Sequence, residues 1–313
     1  MILFFYGANS FAARAKLKQL KEQYIAKNGN DFGLDQLDGE RIKLQDLVQQ
    51  LQAVPFLASS RLIIIENLGK NKLVAEEILD RLDAVPESTI VVLYDAEVDK
   101  RSKYYKTLSK LPKAAEFKAL APPQLARWVE DEVVRLGATI DRLAVQELIN
   151  RCGDDQWRLQ GEITKLATYS QSITKATVEE LVEVSEEQNI FAFLDSVMAG
   201  DLATSLAGLE RLQGSGQNEM YILTMLIWQL RQVLLAKFSG LTNSNELAKQ
   251  ANLSPYAAGK AITLARKSDA DTLKAMYTAC VDCEYGIKTG KGTPEEMLEG
   301  LVIELVKLLT KNL

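Results

Sequence analysis

The first twenty residues, "MILFFYGANSFAARAKLKQL", constrain this chain more than any other stretch. An apolar run ends in Gly7, a short polar turn follows, and a helix starts near Phe11. This is the strand–turn–helix frame in which nucleotide-hydrolysing proteins carry a phosphate loop. Such a loop needs closely spaced glycines whose N–H groups wrap the phosphates, a Lys on the terminal phosphates and a Ser or Thr on Mg²⁺. Here Gly7 stands alone, and Ala13 and Arg14 occupy the place of the Lys-Thr pair. The acidic pair expected after a later strand is also missing, because "LIIIEN" offers only Glu66 beside Asn67. As a lone carboxylate, Glu66 reads as a solvated strand end rather than a metal ligand. The frame is present and its nucleotide chemistry is not.

The same frame sets the class of the N-terminal third. "ILFFY", "RLIIIE" and "TIVVLY" are short apolar runs bounded by turn residues or charge, the pattern of strands buried on both faces. "FGLDQLD" and "AAEFKAL" are weaker strand candidates. Helical patterns lie between them, such as Leu44, Leu47, Val48 and Leu51, so residues 1–118 predict a parallel α/β domain with helices on both sides. Pro122 and Pro123 can open a helix but not continue one, which puts a boundary near residue 119.

Residues 119–185 read as a small helical domain without strands. Gly137 and Gly153 close its helices, Asp141 caps one, and either Thr174 or Thr177 caps another. Residues 186–313 read as a third, all-helical domain rich in Leu, Ala and Met, with broad apolar faces such as "YILTMLIWQLRQVLLAKF" suited to packing on other chains. The fold class is thus α/β plus all-α.

Composition removes whole classes of chemistry. Among 313 residues there is no histidine, which excludes Ser-His and Cys-His nucleophile pairs and every His-based metal site. Three cysteines fit a reducing cytoplasm better than a disulfide framework. No apolar run approaches the ~20 residues needed to cross a bilayer, and the apolar start is too short for a secretory signal. Net charge is −5, whereas tight DNA binding by an isolated chain goes with a basic surplus. Only residues 1–118, with 18 basic against 16 acidic side chains, carry a slight one.

Three further features need weighing. "CVDC" at Cys280–Cys283 has redox or zinc spacing, but only Cys152 remains to complete a ligand set, and the pair sits in a helical pattern. It reads as two small buried residues. "DKRSKYYKTLSK" gathers Lys100, Arg101, Lys103, Lys106 and Lys110 around Tyr104 and Tyr105. Such a patch can bind phosphate backbones; composition alone favours a solvated helix face with the tyrosines tucked beneath it. In "LQAVPFLASSRLIIIE", Phe56 and Leu57 fall where loops carry polar groups. They either cap a helix end against the sheet or project as a wedge into a partner's pocket.

Taken in order, "VPFLASSRLIIIEN", "DKRSKYYKTL", "LARWVEDEVVRLG", "ITKATVEELV", "IFAFLDSVMAGDLATSLAGLERL" and "GIKTG" resemble the delta subunit family of the bacterial DNA polymerase III clamp loader. "WRLQGEITKLATY", with Glu162, Lys165 and Leu166, fits the same pattern, and the resemblance runs over about residues 2–309. It implies an AAA+-like α/β domain, a small helical lid and a C-terminal helical collar, with no catalytic residues, cofactor or metal of its own. It implies as partners the ring-shaped sliding clamp, ATP-binding sister subunits, a delta-prime-like subunit and, within the complex only, primed DNA. The family's clamp-contacting apolar pair carries over to Phe56 and Leu57. Lys100, Arg101, Lys103 and Lys106 of the basic patch are the candidate DNA or partner contact. Two rivals are a divergent AAA+ NTPase and a delta-prime-like stator. The second usually keeps zinc-binding cysteines and a Ser-Arg-Cys motif, and neither occurs here.

Overall fold

The computed structural model describes residues 1–55 and 58–310. The chain divides into two compact units, Met1–Ala119 and Leu120–Leu313. The first runs β1 (Ile2–Tyr6), α1 (Ser10–Asn28), β2 (Leu34–Asp38), α2 (Leu44–Gln52), β3 (Arg61–Glu66), α3 (Lys72–Glu77), β4 (Thr89–Asp95), α4 (Lys103–Leu108) and β5 (Ala114–Glu116). Its five strands pair in parallel in the order β2-β3-β4-β1-β5.

The pleat explains the continuous apolar runs. Leu3, Phe5, Leu62, Ile64, Val92 and Tyr94 point to one face, where they pack on Ala13, Leu17 and Tyr24 of α1. Phe4, Ile63, Ile65, Val91 and Leu93 point to the other, against Leu47 and Leu51 of α2, Ala75 of α3 and Tyr104 and Leu108 of α4. A strand covered on both faces has no polar side to show. The two weaker strand candidates are the sheet's edges, β2 and β5, whose residues are half-buried or exposed. Because every strand runs the same way, the sheet has one carboxyl edge, carrying the turn after β1, Glu66 and Asp95. Its amino edge carries the loops that enter β2 and β3.

The second unit comprises α5 (Pro122–Arg135), β6 (Thr139–Ile140), α6 (Arg142–Cys152), α7 (Gln156–Tyr169), β7 (Ser172–Ile173), α8 (Lys175–Leu181), α9 (Glu186–Met198), α10 (Leu202–Gly214), α11 (Glu219–Ser239), α12 (Ser244–Ala251), α13 (Pro255–Ala265), α14 (Ala270–Lys288) and α15 (Pro294–Thr310). The expectation of no strand in residues 119–185 is corrected by the parallel pair β6–β7. Each has two residues, too few for a period-2 pattern to register. Helix ends follow their signals: Gly137 and Gly153 take φ of 79° and 75°, and the Asp141 carboxylate accepts the Ala144 N–H at 2.8 Å. Of the two threonines, Thr174 is the cap, its hydroxyl accepting from the Thr177 N–H at 3.3 Å.

One core of this unit gathers Leu125, Val129, Leu148, Leu159 and Ile163, with Tyr256 of α13 inserted into it. A larger one gathers Phe191, Leu194, Leu226, Leu230, Met276, Leu301 and Leu305. Cys280 and Cys283 lie one turn apart on α14, both buried. Burial pushes the Cys283 thiol up to about 11 and Cys280 further, so both are apolar fillers.

Candidate functional site

At the carboxyl edge the chain fills its own phosphate turn. Gly7 has φ of 119°, and a Cβ there would stand 2.4 Å from the Phe117 carbonyl oxygen. That contact and the φ value both require glycine. The Gly7 N–H donates to the Asp95 carbonyl at 3.2 Å and the Asn9 N–H to the Phe117 carbonyl at 3.0 Å. The Phe117 N–H in turn donates to Tyr6 at 2.7 Å, lacing the exits of β1 and β5 together. Asn9 is buried. Its side-chain oxygen accepts the Ala12 N–H at 2.9 Å, and its side-chain nitrogen donates to the Lys118 carbonyl at 3.2 Å. A phosphate at the start of α1 would need these N–H groups, and the chain has already bonded them.

Glu66 is corrected here. Rather than a solvated end, it is mostly buried and forms a two-pronged pair with Arg14, at 2.8 and 2.6 Å. The Arg14 guanidinium also stands 5.7 Å from the centre of the Tyr94 ring. Among the described residues no group of three or more metal-ligating side chains occurs. Beside this pair, Asp95 accepts from the Gly69 N–H at 2.8 Å and the Tyr104 hydroxyl at 2.9 Å. Burial pushes its carboxyl up, and the two donors pull it partly back. Asp95 thereby ties α4 to the end of β4.

The basic cluster flanks this edge with its charge largely offset. Lys100 reaches Glu116 at 2.9 Å, a bond that raises its ammonium above the ordinary value. Arg101 folds onto Asp99 at 3.1 Å, and Lys103 lies 3.8 Å from Asp80. Lys106 and Lys110 are exposed on and just after α4. Tyr104 is buried beneath them, and Tyr105 packs edge-on against Tyr6 and Phe4.

Phe56 and Leu57 lie outside the described residues; at the amino edge, the end of α2 and the start of β3 on either side of them are defined. Arg61, only 7% exposed, turns back from the start of β3 onto the end of α2. It donates to the carbonyls of Gln50 at 2.7 Å and Ala53 at 3.0 Å, to the Gln50 side chain at 3.2 Å, and pairs with Asp35. Helix-terminal carbonyls that would otherwise be orphaned are thus bonded. On the other side the Tyr24 hydroxyl lies 2.7 Å from the Ser60 carbonyl, and Ser59 donates to the Asn28 side chain at 2.8 Å. Val54, between these anchors, is 73% exposed. Sequence reading missed Arg61, Tyr24 and Asn28; the one available signal was a charged residue heading a strand buried throughout.

A parallel β2-β3-β4-β1-β5 sheet that keeps the strand–turn–helix frame, followed by a mainly helical unit, defines a parallel α/β protein with a helical second part. Two family models match in chain order: "DNA polymerase III, delta subunit" over residues 3–119 and "DNA polymerase III delta subunit, C-terminal domain" over residues 187–305. Among curated proteins, DNA polymerase III subunit delta of Bacillus subtilis is 24% identical, covering 98% of this chain and 93% of that one. A probable DNA polymerase III subunit delta of Aquifex aeolicus is 23% identical over 71% of this chain and 66% of its own length. The solved Bacillus subtilis DNA clamp loader delta protein (YqeN) superposes with a TM-score of 0.74 at 22% identity, covering 98% of this chain and 95% of that one. The chain belongs to the DNA polymerase III delta subunit family.

Proposed function

We propose that this chain is a non-hydrolysing clamp-loader subunit that binds the sliding clamp through the loop at its amino edge and holds one ring interface open. The observation that carries the reading is the turn from Gly7 to Ser10, a strand–turn–helix frame in which the Gly7, Asn9 and Ser10 N–H groups are bonded to the chain's own carbonyls. Energy from hydrolysis then comes from ATP-binding sister subunits. Phe56 and Leu57 are the residues we assign to the clamp, and the anchors Arg61, Tyr24 and Asn28 support that assignment by fixing where their loop begins and ends.

In this reading residues 1–118, 119–185 and 186–313 act as clamp-binding, lid and collar domains. The collar joins the sister and delta-prime-like subunits, and the assembly works on primed DNA in the cytoplasm. Lys106, with Lys100, Arg101 and Lys103, supplies a weak and salt-sensitive DNA or partner contact inside that assembly. No helix among the described residues is long and apolar enough to cross a membrane.

The test is gel filtration of the full chain with the sliding clamp of its own organism, with and without ATP, beside calorimetry with ATP and ADP. Co-elution without nucleotide and no heat from either nucleotide are expected. Clamp binding that requires ATP, or a micromolar dissociation constant for a nucleotide, would refute the proposal.

A further inference from the structure

The turn that joins α1 to β2 reads Asn28-Gly29-Asn30-Asp31-Phe32-Gly33. Five of these six residues are the types that tight turns require. Phe32 is the exception, and it is 54% exposed. Single exposed apolar residues are ordinary on protein surfaces. Phe32 differs in how firmly its backbone is held. Its N–H donates to the Asn30 side chain at 3.1 Å, its carbonyl accepts the Tyr24 hydroxyl at 2.6 Å, and the Leu34 N–H closes the turn on Asp31 at 3.0 Å. Gly33 follows at φ 82°, where a Cβ would stand 2.8 Å from the Tyr24 hydroxyl oxygen and 3.1 Å from the Ser60 carbonyl.

These same groups hold the clamp loop. The Tyr24 hydroxyl that meets Phe32 also meets Ser60, and the Asn28 side chain that begins the turn accepts from Ser59. The Leu62 N–H donates to the Gly33 carbonyl at 2.8 Å. The Phe32 turn and the base of the 54–60 loop are therefore one hydrogen-bonded block at the amino edge. That block presents Phe32 and, beyond the Arg61 anchor, Val54 to solvent. An aromatic ring on a fixed backbone loses little freedom on binding and buries a large apolar area.

We propose that Phe32 is a second apolar anchor for the sliding clamp, set beside the loop that carries Phe56 and Leu57. The proposal rests on the clamp-binding reading of that loop, and its occupant is the same partner, chosen because Phe32 shares the loop's mount. Phe32 adds contact area and fixes the angle at which the loop meets the ring.

The experiment measures affinity of the full chain for its own organism's clamp by surface plasmon resonance, with melting temperature as the folding control. The variants are Phe32→Ala, Phe32→Leu, the Phe56→Ala/Leu57→Ala double change, and Leu73→Ala at an exposed apolar residue of α3 outside this block. Phe32→Ala should weaken binding about tenfold without lowering the melting temperature, the fold-change expected when roughly one large apolar side chain leaves an interface. Phe32→Leu should recover most of that loss, and Leu73→Ala should stay within about twofold of the parent. Unchanged affinity in Phe32→Ala, with binding lost in the double variant, overturns this inference and leaves the clamp reading standing. Unchanged affinity in both overturns both. Dimerisation of the parent that Phe32→Ala abolishes, with clamp affinity intact, would instead assign the ring to a second copy of this chain and end the proposal. Should Phe32→Ala also lower the melting temperature, Phe32→Leu decides: weakened binding equal to that of the Ala variant would reduce Phe32 to a structural residue.

Discussion

The two edges of the five-stranded sheet treat exposed chemistry in opposite ways. At the carboxyl edge the frame that elsewhere receives a phosphate is closed from within. The Gly7 and Asn9 N–H groups are spent on Asp95 and Phe117, and Arg14 and Glu66 neutralise each other. At the amino edge the polar groups are also satisfied, but they form a mount. Arg61, Tyr24 and Asn28 fasten the ends of the loop between α2 and β3, and Val54 of that loop and Phe32 of the neighbouring α1–β2 turn remain uncovered. One edge uses hydrogen bonds to close a turn and the other uses them to fix the two ends of a loop. The same sheet thus keeps a strand–turn–helix frame at one end, while the contact surface proposed above lies at the opposite end.

The largest effect that can break this comparison is at Phe56 and Leu57. Changing both to Ala removes two large apolar side chains, each worth roughly 1.5–3 kcal/mol when buried. Clamp binding should fall by on the order of 3–5 kcal/mol, at least a hundredfold. If the pair instead packs against the body of its own domain, the same change lowers the melting temperature and spares clamp affinity. The two readouts separate a presented edge from an ordinary core.

Arg61→Ala sharpens the comparison by attacking the mount rather than the surface. It leaves the Gln50 and Ala53 carbonyls and the Asp35 carboxylate without their shared cation, at a cost of about 2–4 kcal/mol of stability. Urea unfolding reads that loss. Clamp affinity of the folded fraction should fall too, because the loop then starts from an unfixed helix end. Full affinity in a destabilised Arg61→Ala protein would show that the loop needs no mount.

How much of this was legible beforehand follows the range of each interaction. The central strands announce themselves because burial on both faces writes an unbroken apolar run, as in "RLIIIE". Phe56 and Leu57 stand out as apolar bulk between a helical pattern and a strand, and they lie outside the described residues. The Arg61–Asp35 and Arg14–Glu66 pairs left no mark, since their partners lie 26 and 52 residues apart and no local period links them. Glu66 therefore looked solvated. The β6–β7 ribbon escaped for the opposite reason: two residues per strand hold too little pattern to read.

The smallest expected effect concerns what closes the carboxyl edge. Two candidates are present: the Arg14–Glu66 pair across the turn, and the backbone lacing with Asn9 beneath it. Arg14→Ala combined with Glu66→Gln tests them. The Arg14 side chain is 48% exposed, so the pair should contribute no more than about 1 kcal/mol to stability. Urea unfolding should therefore shift little. Calorimetry with ATP should still register no binding, because Asn9 keeps the Ala12 N–H and the Phe117 carbonyl keeps the Asn9 N–H after both side chains are gone. The double variant also lacks a Lys to meet the terminal phosphates, as the parent does. A measurable ATP affinity in this variant would place the closure in the ion pair, and the difference between the two edges would then rest on two side chains instead of on the path of the backbone.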